Sequence, residues 1–351
     1  MTTKLDLLIS NGRILDGTGN PEYEADIGII SGSIAVMGHD INKTHADRII
    51  DAEGMVVSPG FIDTHSHDDA YLLINPHCDD KVRQGVTTNV IGNCGFSLAP
   101  LSDEHRDDMR KASAIMGGSH LPDGFWDLSS FEEFLTMVEE TRPGINVVPL
   151  VGHGTVRIAV LGFENRAPNE SELSEMKRLT AEAMQAGAFG ISSGLIYVPA
   201  NYADTEEIIE LAKVASRHKG IYTTHMRSEG DREMEAIHET FRIASEAGIA
   251  AHISHHKIAG KSNWGKSIDT LKLFAQARAD GLLITCDQYP YQAGSTFLAA
   301  ALPPHIQAQG PGVFAEKLKE PEIRRAIVDE IENGRDDRWE NLWSLQKRDS
   351  T

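Results

Sequence analysis

The sequence contains few cysteines, few basic residues relative to its acidic ones, and no long apolar run. Its three cysteines, Cys78, Cys94 and Cys286, are too scattered for a disulfide framework, which favours a reducing compartment. The 33 Lys and Arg residues against 52 Asp and Glu give a net charge of -19, without the basic clusters that neutralise nucleic-acid phosphates. The N-terminal MTTKLDLLIS lacks the apolar stretch of a signal peptide, and no later segment suits a membrane span. We therefore expect a cytoplasmic protein that binds neither nucleic acid nor a membrane.

Two patterns divide the chain. Short strands and turns fill residues 1–57, with glycine and asparagine between the apolar stretches. From Ser58 onward, brief apolar runs alternate with amphipathic helical stretches, as in parallel βα units. Seven runs are candidate strands: VSPGFIDTH, GVTTNVIGNCG, INVVPLVGHG, GAFGISSGL, GIYTTHM, GIAAHISHH and GLLITCDQYP. We predict an α/β protein in which residues 58–351 form a (β/α)8-type TIM barrel with seven of its eight strands, while residues 1–57 form a small, incomplete β-sandwich-like lobe.

Two other segments belong to the predicted barrel domain without being strands. About residues 99–144 form a long insertion between the second and third strands, with a helical FEEFLTMVEE near its end. Long βα loops in such barrels surround the active site, so the insertion is interpreted either as a rim or lid or as a peripheral packing helix. The region 300–345 is predicted to be helical, and no eighth strand follows it.

Five potential metal ligands lie where predicted strands end. His65 and His67 close GFIDTHSH, where period-two alternation puts both side chains on one face. Cys94, His225 and His255 close NVIGNC, IYTTH and AHISH. Because ligands in barrel enzymes collect at the C-terminal ends of strands, we interpret the five as one site. The alternatives are a chance pair among fifteen histidines and a Cys94 that merely fills a small apolar space.

Other histidines lie close to these positions. His252 and His256 flank His255 in AHISHH, and we assign them to packing or to orienting a ligand. His153, at the end of the third strand, is a candidate for orienting a water molecule or contacting a substrate.

These motifs resemble the amidohydrolase superfamily and, within it, the N-acyl-D-amino-acid deacylase (D-aminoacylase) group. The resemblance covers nearly the whole chain and is carried by SPGFIDTHSHDD, GVTTNVIGNCGFS, SSGLIYVPANYA, TTHMRSEG, ISHHKIAG and DQYPYQAGSTFL. It implies one or two zinc ions held by His65, His67, Cys94, His225 and His255. Most cyclic-amide hydrolases of the superfamily bridge two metals with a carboxylated lysine on the fourth strand. The corresponding run here, GAFGISSGLIYVPAN, has no lysine, and in the deacylase group a cysteine takes that part.

The resemblance also implies the reaction, in which zinc-activated water hydrolyses the linear amide of a small-molecule substrate, an N-acyl-D-amino acid. Tyr289 and Ser295 match positions that contact the substrate carboxylate, whereas Tyr197 and Leu298 match positions of the side-chain pocket. The latter two could equally be packing residues, and Arg227 and Lys257 are polar neighbours that could instead form structural ion pairs.

The chain departs from the family pattern at its end. The eighth strand and its general-base aspartate are expected beyond Thr351, so we assign no catalytic base and expect a C-terminal truncation. Two alternatives stay open: a cyclic-amide hydrolase of the dihydroorotase or hydantoinase kind, and a catalytically inactive, truncated metal-binding homologue. The oligomeric state and the preferred side chain and acyl group are not determined by the sequence.

Overall fold

The computed structural model describes residues 4–122, 124–308, 310–334 and 339–347. The chain separates into two compact units, Met1–Phe61 and Ile62–Thr351. Among the described residues, no helix combines the length and the apolar character that a transmembrane span needs. Parts of the predicted helical region 300–345, namely residues 309 and 335–338, lie outside the described residues.

The first unit is a single mixed β-sheet. Its strands are β1 (Leu5–Ile14), β2 (Tyr23–Ile30), β3 (Ser33–Gly38), β4 (Ala46–Asp51) and β5 (Val56–Val57). Their order is β3-β2-β1-β4, with β5 also paired to β1; β2 runs antiparallel to β1, whereas β4 and β5 run parallel to it. Ile14, Ala25 and Ile27 form its small core.

The second unit contains a curled, parallel half-barrel of seven strands, which confirms the predicted α/β class. Each predicted run contains one strand: β6 (Phe61–Asp63), β7 (Val86–Ile91), β8 (Asn146–Gly152), β9 (Gly190–Gly194), β10 (Ile221–His225), β11 (Ala250–Ile253) and β12 (Ile284–Cys286). The strands follow one another in chain order across the sheet. Because β7 to β12 pair in parallel, their C-terminal ends share one edge of the sheet.

Helices alternate with these strands and cover the sheet. They are α1 (Tyr71–Ile74), α2 (Asp79–Val82), α3 (Arg106–Ser113), α4 (Phe131–Thr141), α5 (His153–Leu161), α6 (Glu170–Ala186), α7 (Thr205–Arg217), α8 (Glu233–Ala247), α9 (Ser267–Ala279), α10 (Pro311–Lys317), α11 (Pro321–Asn333) and α12 (Leu342–Lys347). Capping boxes start α4 at Ser130 and α6 at Asn169, where each cap and the glutamate three residues on satisfy free backbone amides. The apolar helix faces and the strands share one large core.

The insertion at residues 99–144 packs against the helices that follow it. Phe131 and Phe134 of α4 are buried in the main core, and Met109 of α3 joins a smaller cluster with Ile158 of α5. No described residue of the insertion lines the cavity that contains Cys94. The segment therefore acts as a packing element rather than as a wall of that cavity.

Candidate metal centre

The five predicted ligands meet at the C-terminal edge of the half-barrel. His225 is the last residue of β10, and Cys94 and His255 follow β7 and β11 within three residues. The first pair differs from the prediction, because β6 ends at Asp63 and His65 and His67 lie in the loop beyond it. Strand alternation therefore does not explain why the His65 and His67 side chains lie together. The loop instead stays beside β7 through the Ser66 amide, which donates to the Val90 carbonyl.

Two ligand candidates occupy unusual backbone conformations. Cys94 has φ 54° and His255 has φ 39°, in the left-handed region that non-glycine residues seldom adopt. Neighbouring glycines make the turn at Cys94 possible, since a Cβ at Gly194 would lie 2.0 Å from the Cys94 carbonyl oxygen. The turn directs the thiol into the site rather than into the core.

Cys94 lies at the centre of the cluster. Its Sγ is 3.3 Å from His65 Nε2, 3.8 Å from His225 Nδ1 and 3.6 Å from His255 Nε2. Two groups of possible ligand atoms share this sulfur: His65, His67 and Cys94, and Cys94, His225 and His255, each with its atoms within 4.8 Å of one another. The structure thus brings all five predicted residues together.

Burial keeps the imidazoles of His65, His67 and His225 neutral in the metal-free protein. It lowers the pKa of His65 to about 3 and that of His67 to about 4, and the neighbouring His255 adds to both shifts. It also lowers the pKa of His225, which the carboxylate of Glu229 only partly opposes. Burial and the charge of Glu229 raise the pKa of the Cys94 thiol. A metal ion would therefore find these three imidazoles neutral and would displace one thiol proton.

Glu229 and Lys257 surround the far side of His255. Glu229 Oε1 lies 2.7 Å from His255 Nδ1 and 2.6 Å from Lys257 Nζ, and Oε2 lies 3.6 Å from His225 Nε2. Burial alone would raise the pKa of Glu229, but the facing His225, His255 and Lys257 together lower it below its ordinary value. Glu229 is therefore an ionised carboxylate behind two ligand candidates.

Asp287 occupies the corresponding place behind His65. It follows β12, accepts a hydrogen bond from His252 Nε2 at 2.8 Å and another from the His255 amide, and lies 3.9 Å from His65 Nδ1. Burial opposes its ionisation, but the bonds from His252 and the His255 amide lower its pKa. His252 thus points to Asp287 rather than to Cys94, and His256 packs beside Glu233 at 3.1 Å.

Two polar candidates from the sequence have structural partners instead. His153 Nε2 lies 2.7 Å from Glu207, which also pairs with Arg157 at 2.5 Å, and all three side chains are buried. Arg227 binds Glu239 at 2.9 Å and donates to backbone carbonyls. Neither residue lines the cavity at Cys94. Each forms an ion pair with a helix residue instead, His153 with Glu207 of α7 and Arg227 with Glu239 of α8.

A cavity of about 640 Å³ opens beside the cluster. Tyr197, Tyr289 and Ser295, the candidates for substrate contact, line it together with Lys257. Leu298 does not line it and is 88% exposed. Its short 3-10 helix, Leu298–Ala301, turns Ala300 inward instead. Phe297, one residue earlier, packs against Tyr197 with ring centroids 5.4 Å apart.

Comparison with known proteins agrees with this geometry. The profile described as "Amidohydrolase family" matches residues 48–303, well over half of the chain. The chain belongs to the amidohydrolase family. This amidohydrolase is 43% identical over 295 residues to D-aminoacylase of Alcaligenes xylosoxydans xylosoxydans, which covers 84% of the chain and 59% of that relative. The resemblance found in its motifs is thereby confirmed.

Two solved structures extend the comparison. The crystal structure of D-aminoacylase superposes with a TM-score of 0.76 at 42% identity, covering 83% of the chain and 59% of that protein. N-acyl-D-glutamate deacylase from Bordetella bronchiseptica was solved with zinc and a phosphonate inhibitor. It superposes with a TM-score of 0.75 at 37% identity, covering 82% of the chain and 59% of that protein. This amidohydrolase thus spans 59% of the length of each of these three relatives.

Sequence reasoning missed three acidic residues at this site. Asp287 directly follows the seventh strand, so the strand-end rule that selected the histidines would also have selected it. Glu229 comes four residues after His225. It lies in a loop, however, where sequence spacing does not indicate which way a side chain points. Glu340 lines the cavity from the far end of the chain, and no local sequence signal connects it to the site.

Proposed function

We propose that this amidohydrolase hydrolyses the amide bond of N-acyl-D-amino acids with zinc held by Cys94, His225 and His255. The observation that carries the proposal is the position of the Cys94 thiol, 3.3–3.8 Å from three imidazole nitrogens at the end of the half-barrel. The D-aminoacylase and deacylase names of its relatives support the substrate class.

The donor set fits zinc. Ligands at about 2.3 Å (sulfur) and 2.0–2.1 Å (nitrogen) from a tetrahedral zinc ion lie about 3.5 Å apart, close to the separations around Cys94. A soft thiolate with neutral imidazoles suits this borderline metal better than Mg²⁺ or Ca²⁺, which prefer oxygen. His65 and His67 would complete a second position that shares the Cys94 sulfur.

Bound zinc lowers the pKa of a water molecule towards 7 and polarises an amide carbonyl. The residues that line the cavity would bind and orient the substrate. Lys257, Tyr289 and Ser295 line the cavity, and their ammonium and hydroxyl donors match the substrate carboxylate, which is an anion. Tyr197, packed on His225 with ring centroids 4.8 Å apart, forms part of the wall next to the ligands.

The carboxylates near the ligands are already engaged. Asp287 accepts from His252 and from the His255 amide, and Glu229 is paired with Lys257. We therefore propose neither as the general base. The assignment of that role to an aspartate outside these residues, as the resemblance implies, stays a prediction.

The proposal is tested by zinc loading and a substrate panel. The chain, with one equivalent of zinc, is incubated with N-acetyl-D-amino acids, their L enantiomers, and the cyclic amides dihydroorotate and hydantoin, and released amine or ring-opened product is measured. We expect hydrolysis of the D substrates, slowed because no general base is assigned among the described residues, and none by Cys94→Ala.

Each other result points to a defined alternative. Turnover of the cyclic amides alone would favour the hydantoinase-like reading, although β9 carries no lysine. Stoichiometric zinc without any turnover would favour a metal-binding homologue that is not catalytic. Equal rates on both enantiomers would reject the D specificity.

A further inference from the structure

We infer that Glu229 is a positioning residue, which sets the tautomer and the orientation of His255. The inference has two tests. The measurement of metal affinity rests on the proposed metal centre, whereas the measurement of the tautomer needs only the metal-free protein. Glu229 itself is not assigned as a ligand, because it reaches the far side of the imidazole ring.

The two nitrogens of His255 face different partners. Nδ1 lies 2.7 Å from Glu229 Oε1, whereas Nε2 lies 3.6 Å from Cys94 Sγ. A neutral imidazole has one donor and one acceptor nitrogen. If Nδ1–H donates to the carboxylate, the lone pair of Nε2 is directed at the cysteine, which is the arrangement a metal ligand requires.

Lys257 competes for the same nitrogen, and its other contacts decide the outcome. Its Nζ lies 3.0 Å from His255 Nδ1, but also 2.6 Å from Glu229 Oε1 and 2.7 Å from the His255 carbonyl oxygen. Besides the ring, the ammonium group therefore has a hydrogen bond to the His255 carbonyl and an ion pair with Glu229. Glu229 Oε1, in contrast, is buried and has no hydrogen-bond donor aligned with it among the described residues; it lies 2.7 Å from Nδ1, and a proton on that nitrogen would satisfy it.

The loop that carries Glu229 is itself fixed. The Glu229 amide donates to Glu340 Oε2 at 2.9 Å, and the Ser228 hydroxyl donates to Glu340 Oε1 at 2.6 Å. On the other side, the Ala259 amide donates to the Glu229 carbonyl at 2.6 Å. A Cβ at Gly230 would lie 2.8 Å from Glu340 Oε1, so the two segments are in close contact. These bonds hold the carboxylate at a set distance from His255.

The first test uses the metal-free protein. Long-range ¹H–¹⁵N spectra of ¹⁵N-histidine-labelled chain report each tautomer, and His255→Gln identifies the signal. We expect His255 as Nδ1–H in the wild type. In Glu229→Gln the uncompensated Lys257 becomes the donor to Nδ1, and the signal should change to Nε2–H. The matched control is Glu233→Gln, since Glu233 is also buried but lies beside His256.

The second test measures Co²⁺ affinity from the sulfur-to-cobalt absorption band. Loss of an outer-shell partner typically weakens metal binding about 10–100-fold, and we expect this loss for Glu229→Gln but not for Glu233→Gln. In the background of His255→Ala the Glu229 substitution should have a much smaller effect, because only the longer contact with His225, at 3.6 Å, then remains.

Each outcome decides a separate point. A wild type that binds no Co²⁺ would overturn the metal centre, while the tautomer spectrum would still decide the role of Glu229. An unchanged tautomer in Glu229→Gln, or an equal affinity loss with and without His255, would overturn the inference. If Glu229→Gln does not fold, Glu229→Asp keeps the charge but draws it back by one methylene, and unaltered spectra and Co²⁺ affinity in that variant would overturn it as well.

Discussion

At the scale of single residues, burial determines the chemistry of the site more than net charge does. The protein is strongly acidic, yet desolvation keeps the imidazoles of His65, His67 and His225 neutral, and the ionised carboxylate of Glu229 lies behind His225. The same effect acts away from the ligands. Glu233 is 2% exposed, and its burial raises its pKa to about 7, more than the adjacent His256 can offset.

The thiol at position 94 should control metal content. We predict that Cys94→Ala binds at least ten-fold less zinc at a fixed free concentration than the wild type, because it removes the sulfur shared by both ligand groups. Cys78→Ala is the matched control, since Cys78 is also buried but lies in the main core, where its thiol donates to the Asn75 and Pro76 carbonyls. Elemental analysis after dialysis gives the comparison, with exposed Cys286 as a second control. Equal zinc in all three variants would remove Cys94 from the centre.

The titration of Glu233 should appear as a pH dependence of stability. Its ordinary pKa of 4.5 is raised to about 7 in the folded protein. Below the ordinary value both states are protonated; as pH rises from there to about 7, only the unfolded state ionises, and stability is lost. Glu233→Gln stays neutral, so its stability relative to the wild type should increase by about 3 kcal/mol between pH 4.5 and pH 8.

Urea unfolding at the two pH values measures this difference. Glu235→Gln, an exposed glutamate two residues further along α8, should show no such dependence. A constant difference between the wild type and Glu233→Gln across the range would mean that Glu233 is ionised in the folded state.

At the scale of elements, the strands could be predicted and the loops that bear the ligands could not. Apolar runs located all seven strands, since a buried parallel strand needs a continuous apolar segment. The turn at Cys94 depends on backbone conformation and on tight contacts between β7, β8 and β9, which no periodicity encodes. For the same reason Leu298, placed by motif alone, lies outside the cavity, whereas His225, which ends a strand, lies within it.

The glycine that starts this turn should be indispensable. A Cβ at Gly92 would lie 2.0 Å from the Leu150 carbonyl oxygen, and φ there is +76°. We predict that Gly92→Ala destabilises the protein by about 3 kcal/mol, combining an unfavourable φ with displacement of β8. Zinc affinity should fall too, because Cys94 is two residues away.

Gly281→Ala separates the cost of an unfavourable φ from the cost of displacing a neighbouring strand. Gly281 also has a positive φ, +93°, but open space around its missing Cβ. Its substitution should cost about 1 kcal/mol and leave zinc binding unchanged. Urea unfolding and zinc titration of both variants provide the measurement, and equal costs at the two sites would show that the contact with Leu150 relaxes freely.

At the scale of the whole molecule, the seven-stranded sheet has two ends. β6 and β12 are its terminal strands, and no ladder joins them among the described residues. Ile62 of β6 is 61% exposed and Leu283, just before β12, is 72% exposed. Free backbone groups next to large apolar side chains favour pairing with another chain.

We therefore predict that the 351-residue chain self-associates through these edges, and that Ile62→Lys reduces the association. A lysine on an edge strand opposes pairing, because its charge would have to be desolvated between two sheets. Ile268→Lys is the matched control: Ile268 is 62% exposed, but it lies on α9, where the backbone is already hydrogen-bonded. Sedimentation velocity over a range of concentrations should detect oligomers in the wild type and in Ile268→Lys, and mainly monomer in Ile62→Lys. If Ile268→Lys dissociates the oligomers as fully as Ile62→Lys does, general surface hydrophobicity is responsible. If the wild type is monomeric at every concentration, the terminal strands do not act as pairing sites.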